Sequence, residues 1–194
     1  MSEMSDANLE TLQASFRHRV VNTFHFLAAL ARLRAQRGDD PAPGQGLLWM
    51  ADTITDLGTL ERFVRGDEVD IQAYLLAMVS VWRDRYRSQR LDVIADTCPL
   101  ILHEAMASTL VLAVLQLVAN AAGHIRAGNE RSVIRLGLVS GDGGYRLGIA
   151  GGTDLGMTAP EDTFGLWLAK RLAQQIKGEL VLAADGAATL TFRV

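Results

Sequence analysis

One histidine in this sequence is placed to do chemistry. His18 stands in the run Ala14-Ser15-Phe16-Arg17-His18-Arg19-Val20-Val21-Asn22, with no metal-ligand set and no nucleophile–base pair nearby. An imidazole is nucleophilic near neutral pH and can take a phosphoryl group on one ring nitrogen. Arg17 and Arg19 flank it, and guanidinium groups so placed offset the charge of an incoming phosphoryl group. Asn22 follows at i+4 and His25 at i+7, on the same face of a helix. Asn22 can orient the ring or a reacting oxygen. His18, Arg19 and Asn22 are therefore the candidate catalytic residues. A histidine on a helix is ordinarily a solvated surface side chain; the company of Arg17, Arg19 and Asn22 is what argues for more.

The element that must present this group is a long helix over residues 6 to 37. Leu9, Leu12, Phe16, Val20, Phe24, Leu27 and Leu30 recur three and four apart, the spacing of one buried face. At about 100° per residue His18 lies roughly 200° from Phe16, away from that stripe. Gly38 to Gly46, rich in Gly, Asp and Pro, breaks the pattern. A second helix is expected from about Leu47 to Val64, with Leu47, Met50, Ile54 and Leu57 on its apolar side. Two such helices make an antiparallel hairpin too thin to bury both stripes, which predicts a homodimer closed as a four-helix bundle.

Arg65-Gly66-Asp67-Glu68 marks a boundary and divides the chain into residues 1–66, a dimerisation and phosphotransfer hairpin, and 67–194. Beyond it the pattern predicts a helix over 69–87, starting near Asp70, a strand over 90–96 and a helix from Leu102 or Glu104 to Ala127. Two strands follow, Val133–Val139 and Tyr145–Ala150, joined by a turn at Ser140-Gly141-Asp142-Gly143-Gly144. A loop over 151–162 leads to a helix over 164–177 with Gly178 as its C-cap, then a hairpin of 179–184 and 188–194 about Asp185-Gly186. The fold class is α+β, with a mixed sheet on one side and helices on the other.

Composition bounds the rest. The chain has 194 residues, 49% of them hydrophobic and 21% charged, enough to bury a core without metal or disulfide staples. A net charge of −3 gives no general attraction to nucleic acid or to an anionic membrane. The polar, acidic N-terminus and the interruption of the Leu110–Ala122 run by Gln116 and Asn120 predict neither a signal peptide nor a membrane span, and so a cytoplasmic protein. Cys98 stands alone and reads as structural. His103 and Glu104 lack further ligands at metal spacing, so no metal site is expected. His124 reads as a structural helix residue. The Gly141–Gly144 run sits in a hairpin turn and is not a phosphate loop. Trp49, Trp82 and Trp167 are expected to pack the core or a domain junction.

Taken in order, several segments resemble the His-Arg-x-x-Asn subfamily of two-component sensor histidine kinases. His18-Arg19-Val20-Val21-Asn22-Thr23 is similar to the family's phosphoacceptor box "H-R-V-K-N-N". Glu68-Val69-Asp70-Ile71-Gln72-Ala73-Tyr74-Leu75 resembles its inter-domain "V-D-L-x-x-Y-L", and Leu112 to His124 its N-box "L-x-L-N-E-L-V-T-N-A-x-K-H". Phe164 to Ala173 resembles "G-L-G-L-x-L-V-x-x-L". The resemblance spans nearly the whole chain and implies a kinase-type ATP-binding domain behind the hairpin.

The departures fall on the ATP site that the resemblance implies. Asn120, the implied Mg²⁺ ligand, is kept and is the candidate cofactor-binding residue. The N-box glutamate is Gln116, which cannot act as a base; the lysine before the final histidine is Gly123. The aspartate that recognises adenine is Gly151, with Asp154 three residues on, and the phosphate-cradling glycines are reduced to Phe164-Gly165. Losing a buried charge-assisted contact costs about 1.5–3 kcal/mol, so several losses predict weak or absent ATP binding and no cofactor of the chain's own. The function expected is a histidine phosphotransferase that relays phosphoryl groups between response-regulator receiver domains through His18, with Mg²⁺ supplied by the receiver. The alternatives are a sensor-less histidine autokinase and a non-catalytic receiver-binding protein.

Overall fold

In the computed structural model the described residues are 27, 43–124, 132–152, 163–184 and 186–194. His18, Arg19, Asn22 and nearly all of the first expected helix lie outside them, as does Asp154. The chain divides into two units, with the division between Ile54 and Thr55.

Helix α1, Pro43–Leu60, starts four residues before the expected Leu47. Pro43 belongs to the helix and not to the breaker: at the first helical position its fixed φ suits the turn and its missing N–H is no loss. The helix also ends earlier than expected. A 3-10 turn, Glu61–Phe63, leads into extended backbone at Val64. There the chain forms a small antiparallel sheet that the sequence pattern did not suggest: β1 (Val64–Arg65), β2 (Glu68–Asp70) and β4 (Ile101–His103). The presumed boundary Arg65–Glu68 is the turn of this sheet, with Gly66 at φ 68 supplying the left-handed residue.

Helix α2, Ile71–Arg85, is capped by Asp70, whose carboxylate accepts the Ala73 N–H at 2.9 Å. Strand β3 (Leu91–Thr97) follows, then helix α3 (Glu104–His124). Strands β5 (Ser132–Gly141) and β6 (Gly144–Gly152) are joined by the two-residue Asp142-Gly143 turn. Helix α4, Phe164–Gln175, precedes β7 (Glu179–Leu182) and β8 (Ala188–Phe192). The main sheet has the order β3-β5-β6-β8-β7, parallel only between β3 and β5. Ile134, Leu136, Leu138, Leu147, Ile149 and Leu190 alternate onto one buried face, and α2, α3 and α4 pack against the sheet. The other face carries Arg135, Val139, Arg146 and Thr191, all exposed.

Two details correct the sequence reading. The end of α4 is a Schellman arrangement in which Lys177, at φ 53, is the left-handed residue. Gly178 then donates to the Ala173 carbonyl at 2.8 Å and Lys177 to that of Gln174 at 3.0 Å. Gly178 is required for another reason: a Cβ there would lie 2.5 Å from the Thr191 carbonyl oxygen. Second, α3 does reach the length and hydropathy of a membrane span, with a mean hydropathy of 1.8 over Glu104–Gly123. Gln116 and Asn120 are too few to break so apolar a run. Of the apolar window, 67% is buried, so α3 is apolar nearly all round because the sheet and α4 pack on it.

A polar cluster anchors the start of the second unit. Asp56, 2% exposed, accepts two 2.7 Å hydrogen bonds from the Arg85 guanidinium. The Tyr74 hydroxyl donates to the Asp56 carbonyl at 3.2 Å, and the Phe63 ring meets Tyr74 edge-on at 5.8 Å. These contacts tie residues 55–63 to α2 and fit a division that falls at Thr55. Burial pushes the Tyr74 phenol well above its ordinary 10.0, the Asp56 charge adds to the rise, and Arg85 opposes it.

Candidate functional site

Of the residues singled out in the sequence, the structure brings together those on α3 and at the start of α4. Gln116 and Asn120 are four apart on α3 and share a face. Asn120 is half-buried; its side-chain oxygen accepts from the Thr163 hydroxyl at 3.4 Å. Thr163 is also the N-cap of α4 and accepts the Leu166 N–H at 3.4 Å. One hydroxyl thus donates to α3 and accepts from α4. Gln116, 3% exposed, lies against the first turn of α4: a Cβ on Gly165 would come 3.3 Å from its Oε1. Gly165 is therefore what lets the two helices meet this closely, and Gln116 fills the approach.

Among the described residues the chemistry of this junction is neutral. Its side chains are two carboxamides and a hydroxyl, which donate and accept hydrogen bonds but transfer no proton near pH 7. The helix dipole makes the first turn of α4 the electropositive end of the helix. The helix begins with Phe164, whose ring lies 5.8 Å from Trp167, and Trp167 in turn lies 5.8 Å from the Arg171 guanidinium. Trp167 is half-buried on this ladder; Trp82, with no exposure, packs in the core.

Gly151 lies near the end of β6, paired with Ile134 on β5. Two residues from buried Ile149, it falls on the helix-covered face by alternation. The position implied for an adenine-binding aspartate thus faces the correct layer but carries no side chain. Gln116 without a carboxylate and Gly151 without any side chain do not fit a bound nucleotide. Among the described residues no group of three or more His, Cys, Asp or Glu could hold a metal ion. His103 ends β4, exposed, with Asp67 3.7 Å away. The geometric relation of His18, Arg19 and Asn22 to this junction lies outside the described residues.

The Asp56–Arg85–Tyr74 cluster is the feature that sequence reasoning missed. Asp56 lies on α1 and Tyr74 and Arg85 on α2, with Asp56 and Arg85 29 residues apart, so no local pattern distinguishes them from surface charge.

No protein-family model matches the sequence, and no curated protein matches it. Solved structures do. The histidine kinase domain of the Erythrobacter litoralis EL346 blue-light activated histidine kinase aligns over 92% of this chain and 91% of its own, with a TM-score of 0.68 at 16% identity. The larger structure of that kinase aligns over 90% of this chain and 62% of its own, with a TM-score of 0.71 at 13% identity. Acinetobacter baumannii histidine kinase AdeS aligns over 91% of this chain and 97% of its own, with a TM-score of 0.51 at 16% identity. The chain therefore has a histidine-kinase-like fold, including the kinase-type sheet and its helices.

Proposed function

We propose that this chain is a two-component phosphotransfer protein in which His18 accepts a phosphoryl group from the phospho-aspartate of a receiver domain and returns it to another receiver. In the first transfer an imidazole nitrogen of His18 forms the N–P bond as the O–P bond of the acyl phosphate breaks, and the aspartate leaves as carboxylate. The second transfer is its reverse. The receiver contributes its own Mg²⁺ and acidic pocket. Arg19 offsets phosphoryl charge and Asn22 orients the reacting groups. The hairpin of residues 1–66 pairs in a homodimeric four-helix bundle, and the domain of residues 67–194 serves as scaffold and as part of the receiver-binding surface. The protein acts in the cytoplasm, without nucleic acid or membrane as partner.

The observation that supports a receiver as phosphoryl source is the neutral α3–α4 junction: Gln116 is buried against Gly165 where the family resemblance implies a carboxylate. A second reading, a histidine autokinase that uses ATP, draws on the nearly full-length likeness to a kinase domain and on Asn120 held beside the α4 cap. The fold comparison taken by itself favours this second reading; the side chains of the junction favour the first.

One experiment separates them. The protein is incubated with labelled Mg·ATP alone, and separately with a labelled phospho-receiver. Acid-labile label that appears only from the receiver, and is lost in His18→Ala but not in His25→Ala, is the expected result. Steady labelling of His18 from ATP alone establishes the autokinase instead. No label from either source leaves only receiver binding without chemistry and overturns the proposal.

A further inference from the structure

The two edges of the main sheet are finished differently. At β3 the backbone groups that face away from β5 are taken by side chains. The Val93 carbonyl accepts the Arg83 Nε–H at 2.8 Å, and the Val93 N–H donates to the Asp92 carboxylate at 2.9 Å. The Thr97 carbonyl accepts from the Gln72 carboxamide. An edge plugged in this way cannot take on a further strand. Among the described residues β7 has no such plug. We propose that β7 is an interaction edge, and that its partner is β7 of a second copy of this chain, paired antiparallel about a two-fold axis at Val181.

Hydrogen-bond alternation decides which groups this edge offers. Val181 lies opposite Thr189 on β8, and Glu179 opposite Thr191. Just past the strand, Ala183 donates its N–H to the Ala187 carbonyl at 2.8 Å, so its backbone groups turn toward the β8 side. Successive residues of an antiparallel strand alternate in this respect. Val181 and Glu179 therefore also turn to β8, and Leu180 and Leu182 turn their N–H and C=O groups to the open edge. β7 is the last strand of the sheet, and among the described residues these edge groups have no partner. Glu179-Leu180-Val181-Leu182 contains no proline and no lysine, and its pairing with β8 runs without a bulge; these are the devices that commonly guard an edge.

The sequence of the strand names the occupant. Leu180-Val181-Leu182 reads the same in both directions. A two-fold axis at Val181 sets Leu180 against Leu182 of the second copy, and Leu182 against its Leu180. Each of these is a hydrogen-bonded pair that exchanges both N–H···O bonds, so every edge group of the two leucines is used. Val181 meets its own counterpart in the closer, non-hydrogen-bonded pairing, with Cα atoms about 4.5 Å apart. Its side chain is 54% exposed, and the contact covers it with another β-branched side chain. Glu179 comes opposite Ala183 of the second copy, so no like charges are set against each other. Moving the axis by one residue, to Leu180, would instead put Glu179 against Val181. Two five-stranded sheets join into one. The inference depends neither on the source that phosphorylates His18 nor on pairing of the hairpin of residues 1–66.

The test uses the full chain. Under mild oxidation Val181→Cys should form a covalent dimer in high yield, because the two Cα atoms lie within disulfide reach. Wild type, with Cys98 as its one thiol, and Leu76→Cys, comparably exposed but on α2, should form little. Amide hydrogen exchange of the wild type, followed by NMR, should show Leu180 and Leu182 protected. That protection should fall about tenfold or more in Val181→Glu and in Val181→Lys, each of which sets like charges face to face. Mixing the two variants should restore it, since the glutamate of one then meets the lysine of the other; a fold damaged by the substitution would not recover on mixing. Equal cross-linking in Val181→Cys and Leu76→Cys overturns the proposal. So do wild-type edge amides that exchange as fast as an unpaired peptide, which leaves the edge to a different partner, and a mixture of the charged variants that fails to recover.

Discussion

Two polar clusters in the α/β unit are built from similar parts and do different work. Asp56, Arg85 and Tyr74 are charged, buried and mutually satisfied. Gln116, Asn120 and Thr163 are neutral; Thr163 joins Asn120 to the first turn of α4 by long hydrogen bonds at 3.4 Å, and Asn120 and Thr163 are only half-buried. The first cluster has the chemistry often sought in an active site, yet its geometry is that of an anchor: every strong donor points at an acceptor of the same chain, so none remains for a ligand. The second has the position of a site but not its charges. Burial and perturbed titration alone would have selected the wrong cluster, because a structural ion pair perturbs its neighbours as a catalytic one does.

The largest effect is expected from breaking the anchor on one side only. Arg85→Met leaves the Asp56 carboxylate, 2% exposed, without its bidentate partner, which should cost about 3–5 kcal/mol of stability. The double variant Asp56→Leu/Arg85→Met removes both charges and should recover most of that loss. Urea denaturation of the two variants measures this directly. If the single variant loses less than about 1 kcal/mol, a value typical of exposed pairs, the anchor reading fails and the contrast between the clusters with it.

Tyr74 sharpens the comparison through pH. Its pKa is raised in the folded state by burial first and by Asp56 second. The unfolded chain therefore releases this proton near 10.0 while the folded chain keeps it. Above that pH the folded state binds more protons, so its stability falls as pH rises; below it this contribution is fully present. Tyr74→Phe should lower stability at pH 7 by about 1 kcal/mol, the worth of one buried hydrogen bond. It should also flatten the decline between pH 9 and 11, since phenylalanine has no proton to lose. An unchanged alkaline slope would show that Tyr74 is not held neutral by the fold.

Much of the α/β unit was legible in the sequence because each element announces itself locally. Asp70 caps α2, the alternation of β5 and β6 brackets an Asp-Gly turn, and α3 follows the apolar run around Leu110–Ala122. What was not legible depends on partners distant in sequence. The small sheet pairs Val69 with Leu102 and Val64, and strands of two or three residues carry too few side chains to show a period. Asp56 and Arg85 are 29 residues apart, so neither declares the other. The junction was half legible: the resemblance located Gln116, Asn120 and Gly165, but only the fold shows that Gln116 occupies the space beside Gly165 and that Asn120 meets the cap of α4.

The smallest effect is expected at Asn120, and its smallness is the point. Its carboxamide receives a long, neutral hydrogen bond from the Thr163 hydroxyl, and at this half-buried position water can take the place of polar partners. Alanine is the better helix former by roughly 0.5 kcal/mol, and it loses about as much in that hydrogen bond. Asn120→Ala should therefore leave the denaturation midpoint nearly unchanged, where Arg85→Met shifts it strongly. The same variant divides the two functional readings. In a receiver-fed relay the phosphoryl group never passes this junction, so transfer to His18 from a phospho-receiver should proceed at the wild-type rate. In an autokinase the variant should abolish labelling from ATP. A loss of stability beyond about 2 kcal/mol, larger than one neutral hydrogen bond supplies, would make Asn120 a structural residue and erase the contrast between anchor and site.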